Sequence, residues 1–433
     1  MKKTAFTLAA ALTLALCGCE NKTVTDSPAP EQPTEPAEPV FAEYTEEDFT
    51  PIKMNLNITD DPPPFEIHSA DLSGLDFGER LSPCKAEDVR EKYDPSGIVE
   101  FDDPERQAEY DAERERFYNT PSKGRIESIA YLNGKFYFSV NYDDLCYGHD
   151  SSIFSFDPET GEQKELVTRT GLEYDGFRNF ISAGGRLIFI EYGDDSFAVC
   201  NIDPDNGEIS ELFTLGSDVY WIFPSPNGIL AHTNNLNTDT TSILEYDIET
   251  GEVLGGLTDE EINANYGLLS CGGHPAAAKG GKDGEPLSVK TAYYSLETEH
   301  KRCTGVYLWE DKASFTTDES VNNYSNESRL YTYDFERMER TEINFNGFSV
   351  GMTQARDGFV DTVGSSSLSG STSTAYYIAP QLGTAFRLAK SDSIWALESG
   401  GVCCFLASEN KPIETSFMVS DNYIPEKIYW FEV

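Results

Sequence analysis

Three near-copies of one turn phrase constrain this chain more than any other feature. They read Phe156-Asp157-Pro-Glu-Thr-Gly161-Glu162, Ile202-Asp203-Pro-Asp-Asn-Gly207-Glu208 and Tyr246-Asp247-Ile-Glu-Thr-Gly251-Glu252. The aspartates lie 46 and 44 residues apart. Each phrase follows one short apolar run and precedes another, so each reads as a hairpin between two strands. Gly supplies a positive φ, while Asp and Thr or Asn hydrogen-bond the local backbone. Short strands repeating at about 44 residues predict a β-propeller.

A second element precedes each phrase: an apolar run broken by a Gly turn. It occurs as Ile129–Phe138 around Gly134, Phe180–Phe189 around Gly185 and Ile222–Ala231 around Gly228. Looser copies occupy Tyr307–Phe315, Met352–Val360 and Ile394–Phe405. Apolar alternation, as at Phe136 and Phe138, marks half-buried strands. Each repeat thus reads as strand A, tight turn, strand B, longer loop, strand C, Asp–Gly turn, strand D. The expected class is all-β: a propeller over 123–433, with seven four-stranded blades and six or eight as alternatives. Residues 49–122 do not match the repeat. They predict a small irregular extension that packs on the ring and lends a strand to close it, since an open ring leaves unpaired edges. Asp103-Pro104 reads as an N-cap followed by proline at the first helical position, opening a short charged helix over 104–118. Glu87–Tyr93 reads as a further helical turn.

The N-terminus reads as a targeting segment. Lys2 and Lys3 precede an apolar stretch, Ala5–Leu16, of signal-peptide length and too short to span a bilayer. The stretch ends Leu16-Cys17-Gly18-Cys19, which resembles a bacterial lipobox. That resemblance implies a signal peptide over 1–18, lipidation of Cys19 and an extracytoplasmic, membrane-anchored protein of the bacterial envelope. Residues 20–48 hold five prolines, nine acidic residues and one lysine. Such a composition cannot bury enough surface to offset ordering entropy, so 19–48 reads as a disordered Pro/Glu-rich tether.

The formal net charge is −43. Nucleic acid and anionic headgroups would be repelled, so neither is an expected partner. Cationic ligands, metal ions and basic proteins are allowed. Of nine cysteines, seven follow the signal region, with no paired spacing that suggests zinc. Cys200, Cys403 and Cys404 read as small core residues. Trp221, Trp309 and Trp395 fall in A-strand positions and Trp430 in the last D strand, and all four read as core.

On its turn phrases, the region 123–433 resembles the bacterial propeller families whose blades end in Asp-x-x-Thr-Gly-Glu, including TolB-like, YVTN-type and PQQ-type repeats. The resemblance implies architecture. No Trp follows Gly161, Gly207 or Gly251 as PQQ-type repeats have it, so a quinone cofactor is not implied. In such a ring the B–C and D–A loops share one face, and here the B–C loops are the long, varied ones. Candidate binding residues on that face are Tyr142, Asp143, Asp144, Tyr192, Asp194, Asp195, Asp239, Asp318 and Glu319. Carboxylates beside amides and hydroxyls could hold Ca²⁺ or bond sugar hydroxyls, and tyrosine faces suit stacking. No catalytic motif is present. The sequence therefore predicts a binding or scaffolding module of the envelope without an obligatory cofactor, its partner an envelope protein or glycan. The rival is a propeller enzyme acting on extracellular carbohydrate, with the carboxylates of the first two B–C loops as acid and base.

Overall fold

Local turn chemistry dictates the hairpins from which the molecule is built. The structure is a computed structural model and describes residues 41–80, 101–119, 121–142, 149–172, 176–193, 197–216, 218–235, 240–258, 267–281, 284–322, 325–345, 348, 352–367, 370–410 and 423–433. The expected signal peptide, Cys19 and all of the tether before residue 41 lie outside these residues, as do Glu87–Tyr93, Cys84 and Cys146. In each Asp–Gly turn the Asp N–H donates to the carbonyl of the Glu five residues on, at 2.9–3.0 Å. Gly161, Gly207 and Gly251 have φ of 73°, 76° and 69°. The tight A–B turns also run through positive φ, at Asn133-Gly134, Gly184-Gly185, Gly272-Gly273 and Gly400-Gly401. Such turns match the twist of the flanking strands.

Seven sheets, each built on four antiparallel strands, form a seven-bladed propeller. The blades span 125–172, 178–215, 218–258, 267–297, 303–344, 353–391 and 393–432, as the repeat predicts. First strands of neighbouring blades meet one another, so they form the inner wall of the ring. Apolar clusters lie between blade faces, one of them shared by Phe136, Phe138 and Phe156 of blade 1 with Cys404, Leu406 and Ile428 of blade 7. Blades 3 and 4 also share a polar contact: buried Glu245 lies 3.1 Å from Nδ1 of His274.

The N-terminal segment is a strap around the outside of the ring. Strands β1 (Ala42–Thr45), β2 (Thr50–Met54) and β3 (Asn57–Thr59) add parallel fifth strands to the outer edges of blades 4, 5 and 6. Strand β4 (His68–Asp71) pairs antiparallel with Tyr423–Glu432 and is the fourth strand of blade 7. Blade 7 draws only three strands from residues after 391, so Trp430 sits in a C strand, not the D strand expected for it. β1 also begins inside the stretch read as tether. Tyr44 stacks on Phe335 with ring centroids 4.8 Å apart, and Glu46 pairs with Arg340. Those contacts compensate for a composition that is acidic overall.

The charged helix forms as expected: α1 spans Pro104–Asn119, and the Asp103 carboxylate accepts the Glu105 N–H at 2.9 Å. Among the described residues no helix is long and apolar enough to cross a membrane. Cys200, Cys271, Cys303, Cys403 and Cys404 are buried and unpaired with one another. Burial pushes the Cys200, Cys271 and Cys303 thiols up to about 12, which leaves them unreactive at neutral pH.

Candidate functional site

After β4 the chain crosses from the edge of blade 7 to blade 1, and this crossing builds a cavity. The Leu72 N–H donates to Glu426 O, and the Leu75 N–H to Leu72 O. The Asp71 carboxylate accepts the Ser73 N–H at 2.8 Å, and the hydrogen bonds from Ser73 hold its carboxyl below the usual range. Asp76 accepts the Gly78 N–H at 2.8 Å, and Gly78 takes φ of 74°. Blade 1 then grips the crossing. The Gln163 amide brackets the Asp76 backbone, accepting its N–H at 3.0 Å and donating to its carbonyl at 2.9 Å. Phe77 packs edge-on to Phe154. Arg80 bonds Glu165 at 2.9 Å and lies 4.5 Å over the Tyr142 ring.

The resulting cavity is about 450 Å³, within the usual range of small-ligand sites. Leu72 and Leu406 are buried in its floor beside Ile126, and Trp395 stands in its wall with 41% of its surface exposed. Ser73, Ser393 and Ser408 supply hydroxyls. The ionisable groups are Asp76, Glu79, Lys123 and Arg125, with Lys123 lying 3.7 Å from Glu79. Two acids against two bases make the cavity locally neutral in a chain of net charge −43. Its walls are the starts of the A strands of blades 1 and 7, the end of strand B and the start of strand C of blade 7. It therefore opens on the B–C and D–A face. An aromatic surface ringed by hydroxyls and balanced charge suits a polar, uncharged ligand with one apolar face.

Of the nine binding residues expected from sequence, four lie among the described residues. Tyr142 is fully buried, and its hydroxyl donates to Phe77 O at 2.7 Å. Burial pushes its phenol above the ordinary range. It holds one wall of the cavity in place and offers no stacking face. Tyr192 is half-buried, donates to Val219 O at 2.7 Å and packs edge-on to Phe197. Asp318 lies in strand B of blade 5 and accepts the Ser328 hydroxyl at 2.6 Å. Glu319 follows it in that strand, opposite Glu327. Asp143, Asp144, Asp194, Asp195 and Asp239 lie outside the described residues. Among the described residues, no three His, Cys, Asp or Glu side chains are grouped to hold a metal ion.

The tryptophans correct the sequence reading. Trp221 is 58% exposed on the inner strand Asp218–Pro224 of blade 3, flanked by exposed Tyr220 and Phe223, and Trp395 is exposed in the cavity. Both were expected in the core. An inner strand has no further strand on its channel side, and a β-bulge between Val219 and Trp221 turns side chains outward. Trp309 is partly buried and donates to Arg356 O at 2.6 Å. On the inner strand of blade 7, Glu398 is open to water yet crowded by protein, and this desolvation raises its carboxyl above the ordinary 4.5. Sequence reasoning missed Trp395 and the crossing at 72–79. The Asp71-Leu-Ser-Gly-Leu-Asp76 turn composition was the one local signal for the crossing.

No family model and no curated protein matches the chain. Solved structures do. The β-propeller domain of the Trilobed protease from Pyrococcus furiosus is 11% identical over 71% of this chain and 95% of that chain, with a TM-score of 0.46. A prolyl endopeptidase is 14% identical over 80% of this chain and 56% of that one, with a TM-score of 0.47. The polysaccharide lyase Uly1 is 9% identical over 85% and 99%, with a TM-score of 0.45. The chain spans about half the length of the acylaminoacyl peptidase structures it matches. Likeness at these identities concerns the fold alone.

Proposed function

We propose that this protein is a lipid-anchored binding module of the bacterial envelope, held through Cys19, and that it takes a small uncharged glycan into the cavity between blades 7 and 1. The observation that carries this reading is the exposed face of Trp395 in a locally neutral, hydroxyl-bearing cavity. A neutral sugar presents C–H faces to the indole and hydroxyls to the serines and charged rim, and the protein's negative field does not repel it. The lipobox and the Pro/Glu-rich stretch support placement of the ring outside the cytoplasm.

Thermal unfolding in the presence of neutral oligosaccharides, peptidoglycan fragments and Ca²⁺ tests the reading. A ligand that prefers the native state raises the midpoint in a saturable way. The expected result is a shift with a neutral oligosaccharide that Trp395→Ala weakens at least about tenfold, near 1.4 kcal/mol. A shift that survives Trp395→Ala would place the ligand elsewhere, and a shift with Ca²⁺ alone would replace the glycan reading with a metal site.

A further inference from the structure

The strap treats the outer edges of the ring unequally. Blades 4, 5 and 6 have their fourth strands covered by β1, β2 and β3, and blade 7 takes β4 as its outer strand. Among the described residues, blades 1, 2 and 3 end in their own fourth strands. An uncovered edge is a template for another chain unless charge, bulges or packing blunt it.

Blade 1 is blunted. Its outer strand Gln163–Leu172 carries Lys164, Glu165 and Arg169, is gripped by Arg80, and breaks register twice. On blade 2, the strand Ile209–Leu215 has its Phe213 ring under the next Asp–Gly turn, where a Cβ on Gly251 would come within 2.7 Å of the ring. Blade 3 differs. Its outer strand Val253–Thr258 reads Val-Leu-Gly-Gly-Leu-Thr, with no charge. Val253 is 54% and Leu254 49% exposed, and open space lies around Gly255. Its one register break falls at the start, and Gly255–Thr258 pairs regularly with strand C.

We propose that this strand is a docking edge that accepts an extended, basic segment of a partner polypeptide as a fifth, parallel strand. Continuity argues for the geometry, because β1, β2 and β3 already add parallel fifth strands to the next three edges of the same ring. Charge argues for the partner. The turn leading into the strand carries exposed Glu252 beside Asp247 and Glu249, the last of these paired with Arg186, and the whole chain is strongly acidic. A second copy would bring the same negative field to the edge, whereas lysines flanking an apolar strand complement it. Main-chain hydrogen bonds would supply affinity, with Val253 and Leu254 as the apolar contact.

The probe is a fluorescein-labelled peptide, Lys-Lys-Thr-Val-Thr-Ile-Thr-Lys-Lys, titrated into the full chain by anisotropy at 0.15 M salt. The matched control is N-methylated at Val and Ile, which keeps the charge and removes main-chain donors. Saturable binding is expected, weakened tenfold or more by N-methylation and by Leu254→Lys, with the unfolding midpoint of that variant unchanged. Equal binding of both peptides would reduce the effect to charge and overturn the proposal, as would no saturable binding. A dimer in sedimentation that Leu254→Lys dissolves would make a second copy the occupant and overturn it. Slow exchange of all the Gly255–Thr258 amides before peptide is added would show the edge already occupied by this chain, with the same consequence.

Discussion

Gly207 and Gly251 serve two purposes at once. Each takes a positive φ, and each lies where a Cβ would collide with the preceding blade: 2.3 Å from Leu166 O for Gly207 and 2.7 Å from the Phe213 ring for Gly251. Gly161 takes the same φ with nothing nearby. The repeat's glycine is thus both a turn residue and a spacer between blades. His300 shows a residue whose environment no motif announces. Its Nε2 lies 2.8 Å from the Tyr333 hydroxyl and its ring 4.1 Å from that of Tyr331. Burial lowers its pKa from 6.5 to about 4, with nearby Glu342 acting weakly the other way. The unfolded chain therefore takes up the proton first as pH falls from 6.5 towards 4, and stability falls with it. Between pH 7 and pH 5 the protein is expected to lose about 2 kcal/mol more than His300→Phe. Urea unfolding at the two pH values measures this, and equal losses would show that the ring is solvated enough to charge in place.

Strand β4 and the crossing after it decide whether the ring closes. Leu72 is 1% exposed and packs in the cluster that joins blades 7 and 1. Leu72→Ala is expected to cost about 2–5 kcal/mol. Because the same residue floors the cavity, the variant should also speed hydrogen exchange in Tyr423–Glu432 more than in blades 2 and 3. Uniform acceleration around the ring would mean that the strap is not a separate cooperative unit. The strap strands are short, and β3 even exposes Ile58, so their pairing rests on backbone hydrogen bonds that almost any sequence can make. The core side is more specific: Phe65 lies edge-on to Tyr377 at 4.7 Å, and Phe49 edge-on to Tyr333 at 5.0 Å.

At the scale of the whole molecule, the full chain carries 75 acidic against 32 basic residues. Ion pairs such as Arg80–Glu165 and Arg186–Glu249 tie neighbouring elements, but exposed pairs contribute little and the excess charge repels itself. The unfolding midpoint is expected to rise as salt goes from 0.01 to 0.15 M, where the screening length shortens from about 30 to about 8 Å. A fall would mean that attractive pairs outweigh the net repulsion. The closure itself joins residues 68–71 to residues 427–430. Most of the chain must therefore be in place before the last blade is complete, which favours slow folding.

The seven repeats, the Asp–Gly and Gly–Gly turns, the capped helix and the buried Cys200, Cys403 and Cys404 could all be read from sequence. Each rests on local chemistry: a positive φ needs glycine, an aspartate bonds the next amides, and alternation marks a half-buried strand. That the 49–122 extension lends a strand to close the ring was also legible; which residues pair with which blade, and the cavity, could not be read this way. They depend on pairings between distant segments, and β4 joins strand C of blade 7 through backbone groups that carry no side-chain code. Trp221 and Trp395 make the same point, because an apolar residue in strand A looks the same in sequence whether it faces the next blade or the channel. Ring curvature, and for Trp221 the bulge beside it, decide between those two fates, and neither exists until the blades have packed.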